Sequence, residues 1–75
     1  MAMTFVLINV ETGTEKDVIE DLRKFPEVKE AYCVYGVYDL IARLEADTMD
    51  EIKNAISWGI RRLDKVRATI TMIQA

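Results

Sequence analysis

The sequence is poor in the residues that usually stabilise very small proteins through cross-links or metal ions. It contains one cysteine, Cys33, and no histidine. A single cysteine cannot form an internal disulfide, and a zinc or haem site would be without its commonest ligand. A thiol without a histidine base also has no partner to raise its thiolate fraction. We therefore expect no cofactor, no metal and no catalytic residue, and we interpret Cys33 as a buried structural side chain.

Chain breakers and long apolar runs are also scarce. Three glycines and one proline accompany 51% hydrophobic residues, a composition that excludes a disordered tail or a low-complexity segment. The longest apolar run, residues 5–8, is far shorter than the roughly 20 residues that cross a bilayer. The first residues show no basic segment followed by a cleavage site. We expect a cytoplasmic protein that has no membrane partner.

Acidic residues outnumber basic ones, with 13 Asp and Glu against 10 Lys and Arg and a net charge of -3. Phosphate backbones require clustered positive charge, so direct nucleic-acid binding by this chain is not expected. A length of 75 residues allows one domain. A core of this size supplies only about 3 to 5 kcal/mol of net stability. Self-association is therefore expected to contribute the rest.

Hydrophobic periodicity predicts six elements. We predict a strand over 3–10, a helix over 15–24, a strand over 28–35, another strand from residue 40, a helix after Thr48 and a strand over 65–73. Thr14 with Asp17, and Thr48 with Glu51, have the spacing of capping boxes. The order βαββαβ predicts an α+β, ferredoxin-like sandwich. Its four-stranded antiparallel sheet carries both helices on one face, leaving the other face bare.

Strand alternation predicts which side chains meet the helices. The even positions of the last two strands are uniformly apolar, so we expect them to face the helices: Leu40, Ala42, Leu44, Val66, Ala68, Ile70 and Met72. The odd positions mix charged, hydroxyl and branched side chains on the bare face: Ile41, Arg43, Glu45, Arg67, Thr69, Thr71 and Ile73. This mixture is typical of a face covered by another protomer, although an ordinary solvated face has the same composition. Arg43 and Arg67 are the predicted interface residues there.

Trp58 interrupts the apolar pattern of the second helix. At about 100° per residue it lies roughly opposite Met49, so we expect it to face away from the core. Exposure near a helix end can be incidental. The alternative is an oligomer contact between dimers, because tryptophan often carries interface energy.

The turn Gly36-Val37-Tyr38-Asp39 has two interpretations. Glycine tolerates positive φ and exposes backbone N–H groups, while Asp39 adds a carboxylate. Together they could bind the carboxylate and ammonium of a small zwitterion. The alternative is a hairpin turn that uses glycine and an Asx-type side-chain bond for structural reasons alone.

Two segments carry a resemblance to a known family: V-K-E-A-Y-C-V-Y-G-V-Y-D-L-I-A-R-L at 28–44 and V-R-A-T-I-T-M-I at 66–73. They resemble the effector-binding domain, or RAM module, of the Lrp/AsnC (leucine-responsive and asparagine-responsive) transcription regulators, and the similarity covers essentially the whole chain. It implies a ferredoxin-like domain that dimerises through its sheet and assembles further, as an octamer of four dimers in a ring. It also implies amino-acid effectors bound in clefts between dimers by Gly36, Tyr38, Asp39, Thr69 and Thr71.

The chain departs from that family in two places. Asp64-Lys65-Val66 stands where the family has Gly-Val before its last strand, which should alter that loop. The second departure concerns the helix-turn-helix domain, which we expect to be absent because Met3 leaves no room before it in this sequence. We therefore expect residues 1–75 to be a single effector-binding and oligomerisation domain, similar to the stand-alone form of the module. Any effect on DNA would then be indirect, through mixed assembly with full-length regulators.

The leading hypothesis is a binding module that senses an amino acid and links the ligand to its assembly state in transcription regulation. It is not an enzyme in this interpretation. Two alternatives stay open. One is a small dimeric ferredoxin-like enzyme, for which the sequence offers no pair of base and nucleophile. The other is a purely structural unit that pairs with full-length regulators.

Overall fold

A computed structural model describes residues 1–73 of the chain. The elements follow in the predicted order: β1 (Ala2–Val10), α1 (Glu15–Leu22), β2 (Val28–Cys33), β3 (Leu40–Ala46), α2 (Met49–Trp58) and β4 (Val66–Ile73). A short 3-10 turn, Ile60–Arg62, connects α2 to β4. Within residues 1–73, neither helix is long and apolar enough to cross a membrane.

The four strands form one antiparallel sheet in the order β2-β3-β1-β4. β1 therefore lies inside the sheet, where it pairs with β3 on one side and β4 on the other. β2 and β4 are the edges. This arrangement confirms the predicted α+β, ferredoxin-like fold.

A single hydrophobic core lies between the sheet and the helices. It combines even-numbered side chains of β1 and β3 with residues from both helices: Val6, Ile8, Val10, Val18, Leu22, Leu40, Ala42, Leu44, Ile52 and Ile56. Because both helices contribute to the same cluster, they cover the same face of the sheet. Thr4 is buried there as well, and its hydroxyl donates to the Met72 carbonyl, which joins β1 to β4.

The two predicted helix caps differ. The Thr48 hydroxyl accepts a hydrogen bond from the Glu51 amide at 3.3 Å, as a capping residue does. The corresponding prediction for Thr14 is wrong, because its hydroxyl donates back to the Glu11 carbonyl at 2.6 Å. Thr14 therefore stabilises the preceding turn instead of the first turn of α1.

The end of α2 is fixed by close packing at Gly59. A Cβ atom at Gly59 would overlap both the Phe25 ring and the Ala55 carbonyl. Glycine thus lets the loop after α1 lie directly against the end of α2. The 3-10 turn follows immediately, and its Leu63 and Arg62 amides donate to Ile60 and Gly59. This turn sets the position of Arg61 beside β4.

A β-bulge changes the direction of the side chains of β4. Val10 pairs with Val66, but the preceding Asn9 pairs with Ala68, so Arg67 is an extra residue without a register partner. Directly paired residues of antiparallel strands project to the same face. Thr69 pairs with the buried Ile8, and it therefore lies on the helix side.

The predicted alternation is thus confirmed for β3 and wrong for β4 beyond the bulge. Thr69 and Thr71 lie on the helix side, whereas Ala68, Ile70 and Met72 lie on the bare face opposite Asn9, Leu7 and Phe5. Counting alternate residues along β4 fails because the extra residue at Arg67 shifts the period by one. We call the bare surface the sheet face; it is formed by Glu30 and Tyr32 of β2, the odd-numbered residues of β1 and β3, and Ala68, Ile70 and Met72 of β4.

The prediction for Cys33 is also wrong, since its side chain is exposed. Cys33 is the last residue of edge strand β2, directly before the exposed loop that leads to β3. Its partner Leu40 is buried because the core covers the middle of the sheet. An edge residue at a strand end lacks that cover.

Candidate functional site

The loop between β2 and β3 is closed at its base by Asp39. The Val34 amide donates to the Asp39 carbonyl at 2.9 Å, and the Asp39 amide donates to the Ile8 carbonyl at 3.1 Å. Gly36 has φ of +144°, a conformation that L side chains rarely adopt. The predicted need for glycine in this turn is therefore confirmed. Gly36 is exposed, while Tyr38 and Asp39 are half-buried.

The Asp39 carboxylate has a structural partner outside its own turn. Its Oδ2 accepts a hydrogen bond from the Val10 amide at 2.9 Å, which joins the turn to the end of β1. Within residues 1–73, the other oxygen, Oδ1, makes no hydrogen bond. One carboxylate oxygen thus holds the turn in place, and the second is available to a ligand.

The turn that precedes this carboxylate contains backbone amides without partners of their own. Among the described residues, the amides of residues 35–38 donate no hydrogen bond. Unpaired amide donors can bind a carboxylate, and Asp39 Oδ1 can accept from an ammonium group. The turn therefore presents both halves of the chemistry that recognises a zwitterion.

Thr69 and Thr71 do not join the turn within one protomer. Ile8 pairs with Leu40 on one side and with Thr69 on the other, so β1 lies between Thr69 and the residue that follows Asp39. Neighbouring strands are about 4.8 Å apart, so two strand spacings place the backbone of Thr69 roughly 10 Å from that of Leu40, the first residue of β3. The five predicted ligand residues thus form two groups.

The sheet face carries a charged network at its β2 and β3 side. Arg43 contacts Glu30 at 2.9 Å and also pairs with Glu45, and the Tyr32 hydroxyl donates to Glu30 at 2.7 Å. The hydroxyl of Tyr32 and the guanidinium of Arg43 lower the pKa of Glu30 from its ordinary value. The same hydrogen bond to Glu30 raises the pKa of Tyr32. Arg43, a predicted interface residue, therefore lies on the sheet face with its charge already paired.

The rest of the sheet face is apolar apart from Asn9. Directly paired residues form two rows across it. One row consists of Tyr32, Ile41, Leu7 and Ile70, and the next consists of Arg43, Phe5 and Met72. Ile70 and Met72 are 46% and 53% exposed, and Phe5 is 39% exposed. Clustered large apolar side chains on a surface indicate a place where another molecule binds.

The other two predicted interface residues lie elsewhere. Trp58 is 66% exposed, which confirms that it faces away from the core. The Arg62 guanidinium lies 4.5 Å from the centre of its ring, in a cation–π contact. Arg67 is the bulge residue, and it lines a hollow at the edge of β4 with Arg61 and Thr69.

Sequence reasoning missed this hollow and its neighbour. We call the pair the edge groove, which lies between α2 with its 3-10 turn and the β4 edge, and whose polar lining is Lys53, Ser57, Arg61, Arg67, Thr69 and Thr71. Lys53, Ser57 and Arg61 recur every four residues, the spacing of one helix face. That spacing was a signal available in the sequence. The bulge at Arg67, which turns Thr69 and Thr71 toward the edge groove, was not apparent from the sequence.

Comparison with known proteins places these features in a family context. A family model described as Lrp/AsnC ligand binding domain matches residues 3–74. The HTH-type transcriptional regulator FL11 of Pyrococcus horikoshii is 31% identical over 71 residues. That match covers 95% of this chain and 46% of the regulator, so the chain spans about half the length of this relative.

Solved structures share the fold over the full chain. The crystal structure of FFRP-DM1 is 43% identical with a TM-score of 0.94, and the match covers 100% of both chains. The transcriptional regulator NMB0573/L-Met complex from Neisseria meningitidis is 18% identical with a TM-score of 0.82. It covers 99% of this chain and 49% of that chain, and at this identity it shows the fold alone.

The network around Glu30 predicts a pH dependence of stability. Because the pKa of Glu30 is lower in the folded state, its contribution is present above the ordinary glutamate pKa of about 4.3 and is lost as the pH falls through the lower, folded value. We expect Glu30→Gln to lower the urea midpoint at pH 7 and to reduce the further loss on acidification to pH 3. Glu20→Gln, which removes an exposed helix carboxylate, is the control. An identical pH response of the two variants would contradict the assignment.

Proposed function

Because the chain belongs to the family of Lrp/AsnC ligand binding domains, we propose that this regulatory ligand-binding module takes an amino acid as its effector and self-associates. The observation that carries the proposal is the turn after β2. There, Asp39 Oδ1 and the amides of residues 35–38 lack partners within residues 1–73, and they have the opposite polarities that a zwitterion requires.

The proposed site uses each half of this turn for one end of the ligand. Asp39 accepts from the ammonium, and the amides around Gly36 donate to the carboxylate. Tyr38, which is half-buried, contacts the side chain of the ligand. The relative NMB0573 was solved with L-Met, so L-amino acids are the first class to test.

Thr69 and Thr71 complete the proposed site only when a neighbouring protomer supplies them. Within one chain, β1 separates them from the turn. Both residues lie on the helix side at the edge of the sheet, where Thr71 is exposed and Thr69, whose hydroxyl accepts from Arg61, is half-buried. A site of this kind links ligand binding to assembly, because the ligand binds the assembled form better than the free protomer.

The proposed dimer forms through the sheet face. Phe5, Ile70 and Met72 are substantially exposed in the single chain, and burial of apolar surface contributes about 25 cal/mol per Å². Arg43 brings no unpaired charge to such an interface, because Glu30 and Glu45 already neutralise it. Trp58 lies on the helix layer instead, where it is available for a contact between dimers, as in the proposed octamer of four dimers.

The remaining parts of the proposal concern domain organisation and partners. We propose that residues 1–75 act as one effector-binding and oligomerisation domain, that it is not an enzyme, and that it reaches DNA only through mixed assembly with full-length relatives. FL11 is described as an HTH-type regulator, which supports this type of partner.

A purely structural oligomerisation unit is the second candidate function. The observation that favours it is the hydrogen bond from the Val10 amide to Asp39 Oδ2, because this bond alone accounts for a carboxylate at this position. A ligand ammonium requires the negative charge of Asp39, whereas the Val10 amide requires only an acceptor oxygen. A substitution that removes the charge and keeps the oxygen therefore tests the two roles separately.

A thermal-shift screen of the twenty amino acids tests the effector hypothesis. A ligand at 100 times its Kd should add about 2.7 kcal/mol of stability. Calorimetry should then show that Asp39→Asn, which keeps an acceptor for the Val10 amide, weakens binding by about 1 to 3 kcal/mol. Asp47→Asn, in the exposed loop before α2, is the matched control. Unchanged affinity of Asp39→Asn would leave the turn with its structural role alone.

Substitution of the sheet face tests the proposed dimer. Ile70→Glu places a charge among Leu7, Phe5 and Met72, and we expect it to shift the protein from dimer to monomer in sedimentation experiments. Thr12→Glu adds the same charge in an exposed loop and should leave the dimer intact. A wild-type chain that is a monodisperse monomer of 8.6 kDa at micromolar concentration would contradict the proposal.

Trp58→Ala tests the contact between dimers. If this side chain joins dimers, the variant should keep its helix content and its dimer while losing any larger assembly. Light scattering over a dilution series measures both states. An unchanged dissociation profile would show that the exposure of Trp58 has no role in assembly.

A further inference from the structure

The edge groove concentrates positive charge in an otherwise acidic chain. Its hollow beside Thr69 has a volume of about 330 Å³ and is lined by Arg61, Arg67 and three uncharged residues. The adjoining hollow beside Thr71, about 190 Å³, is lined by Lys53, Arg61, Ser57 and Ile56. Arg61 is common to both hollows, and no acidic residue lines either of them. The net charge of the whole chain is -3, so this local excess is opposite in sign to the rest of the molecule.

These basic side chains have no ion pairs within residues 1–73. The described ion pairs engage Lys24, Arg43 and Lys65, whereas Lys53, Arg61 and Arg67 take part in none. Cations that converge without a counter-charge repel one another, and binding an anion relieves that repulsion.

Arg61 is held in a defined orientation by β4. Its Nε donates to the Thr69 hydroxyl at 3.1 Å. The two terminal nitrogens of the guanidinium stay available, and they form a planar fork that matches a carboxylate or a phosphoryl group. The bulge at Arg67 is what brings the Thr69 hydroxyl to this side of the strand. Ser57 and Thr71 add hydroxyl donors to the second hollow.

We propose that the edge groove is a binding site for the oxyanion group of a small molecule, with Arg61 as its central residue. A zwitterion alone does not match the lining, because its ammonium group would meet only cations and hydroxyls. The lining fits a carboxylate or phosphoryl group instead. A long nucleic acid does not fit, since three cations form a short patch on a chain whose first helix carries Glu15, Asp17, Glu20 and Asp21.

Two sources could provide this group: the anionic side chain of an acidic amino acid, or a separate phosphorylated or polycarboxylate metabolite. The turn residues do not line the edge groove, whereas Thr69 and Thr71, which the proposed effector site takes from a neighbouring protomer, do line it. The oxyanion site rests on Arg61 and the effector site rests on Asp39, so variants of these two residues test the two sites separately.

Calorimetric titration with pyrophosphate at constant ionic strength tests the groove directly. We expect saturable binding that Arg61→Gln weakens by about tenfold or more, the range for the loss of charge-assisted hydrogen bonds. Arg62→Gln is the matched control, because it removes the same charge from the next residue, whose side chain lies on Trp58. It should change the affinity by less than about twofold, in line with a screened, non-specific effect. Thr69→Val, which removes only the hydroxyl that orients Arg61, should weaken binding while circular dichroism stays unchanged.

Paired ligands then distinguish the two sources. If the oxyanion belongs to an amino-acid side chain, L-glutamate should bind more tightly than L-glutamine. Both Arg61→Gln and Asp39→Asn should then weaken the binding of L-glutamate. If it belongs to a separate metabolite, pyrophosphate binding should be unaffected by Asp39→Asn.

The absence of saturable binding by both pyrophosphate and L-glutamate would overturn the proposal. Equal weakening by Arg61→Gln and Arg62→Gln would overturn it as well, since it would show a general effect of charge. If L-amino acids bind with a dependence on Asp39, and neither pyrophosphate nor L-glutamate binds with a dependence on Arg61, the oxyanion site is rejected and the effector hypothesis stands.

Discussion

One extra residue in β4 determines how the two surfaces of this small domain differ. Arg67 is unpaired between Val66 and Ala68, and every side chain that follows it changes face. Without this bulge, Ile70 and Met72 would join the core, and the threonines would lie on the open side of the sheet. With it, the open side becomes apolar and the helix side of the edge strand acquires hydroxyl groups. The proposed dimer surface and the edge groove therefore have a common origin.

The apolar sheet face is a consequence of building a 75-residue chain with one core. The core is confined to one side of the sheet, and a domain of this size buries a smaller fraction of its surface on folding than a larger domain does. The charged residues on the open side form one network, because Arg43 pairs with both Glu30 and Glu45. This network holds one guanidinium and two carboxylates, so a second protomer that covers it would have to leave it at the rim or supply a partner for the excess negative charge. Asp39, in contrast, keeps one carboxylate oxygen available while the other ties the turn to Val10.

Most of the fold could be predicted from local patterns, whereas the site depended on features that local patterns do not encode. Apolar periodicity and the turn at Gly36 located all six elements, because each depends on neighbouring residues. The face of Thr69 could not be predicted, since alternation assumes regular pairing and the bulge depends on β1 as well as β4. The exposure of Cys33 followed from its place at a sheet edge, which is a property of strand order. Arg61 was missed because its partner Thr69 was assigned to the other face.

The orientation of β4 is the feature on which both proposed surfaces rest, and nuclear Overhauser contacts in the labelled protein measure it directly. The structure predicts contacts from the Arg61 Hε to the Thr69 side chain, together with contacts from the Ile70 side chain to Leu7. Regular alternation without a bulge would instead direct Ile70 to the helices and Thr69 away from Arg61. Contacts between the Ile70 side chain and α2, with none between Arg61 and Thr69, would contradict the account.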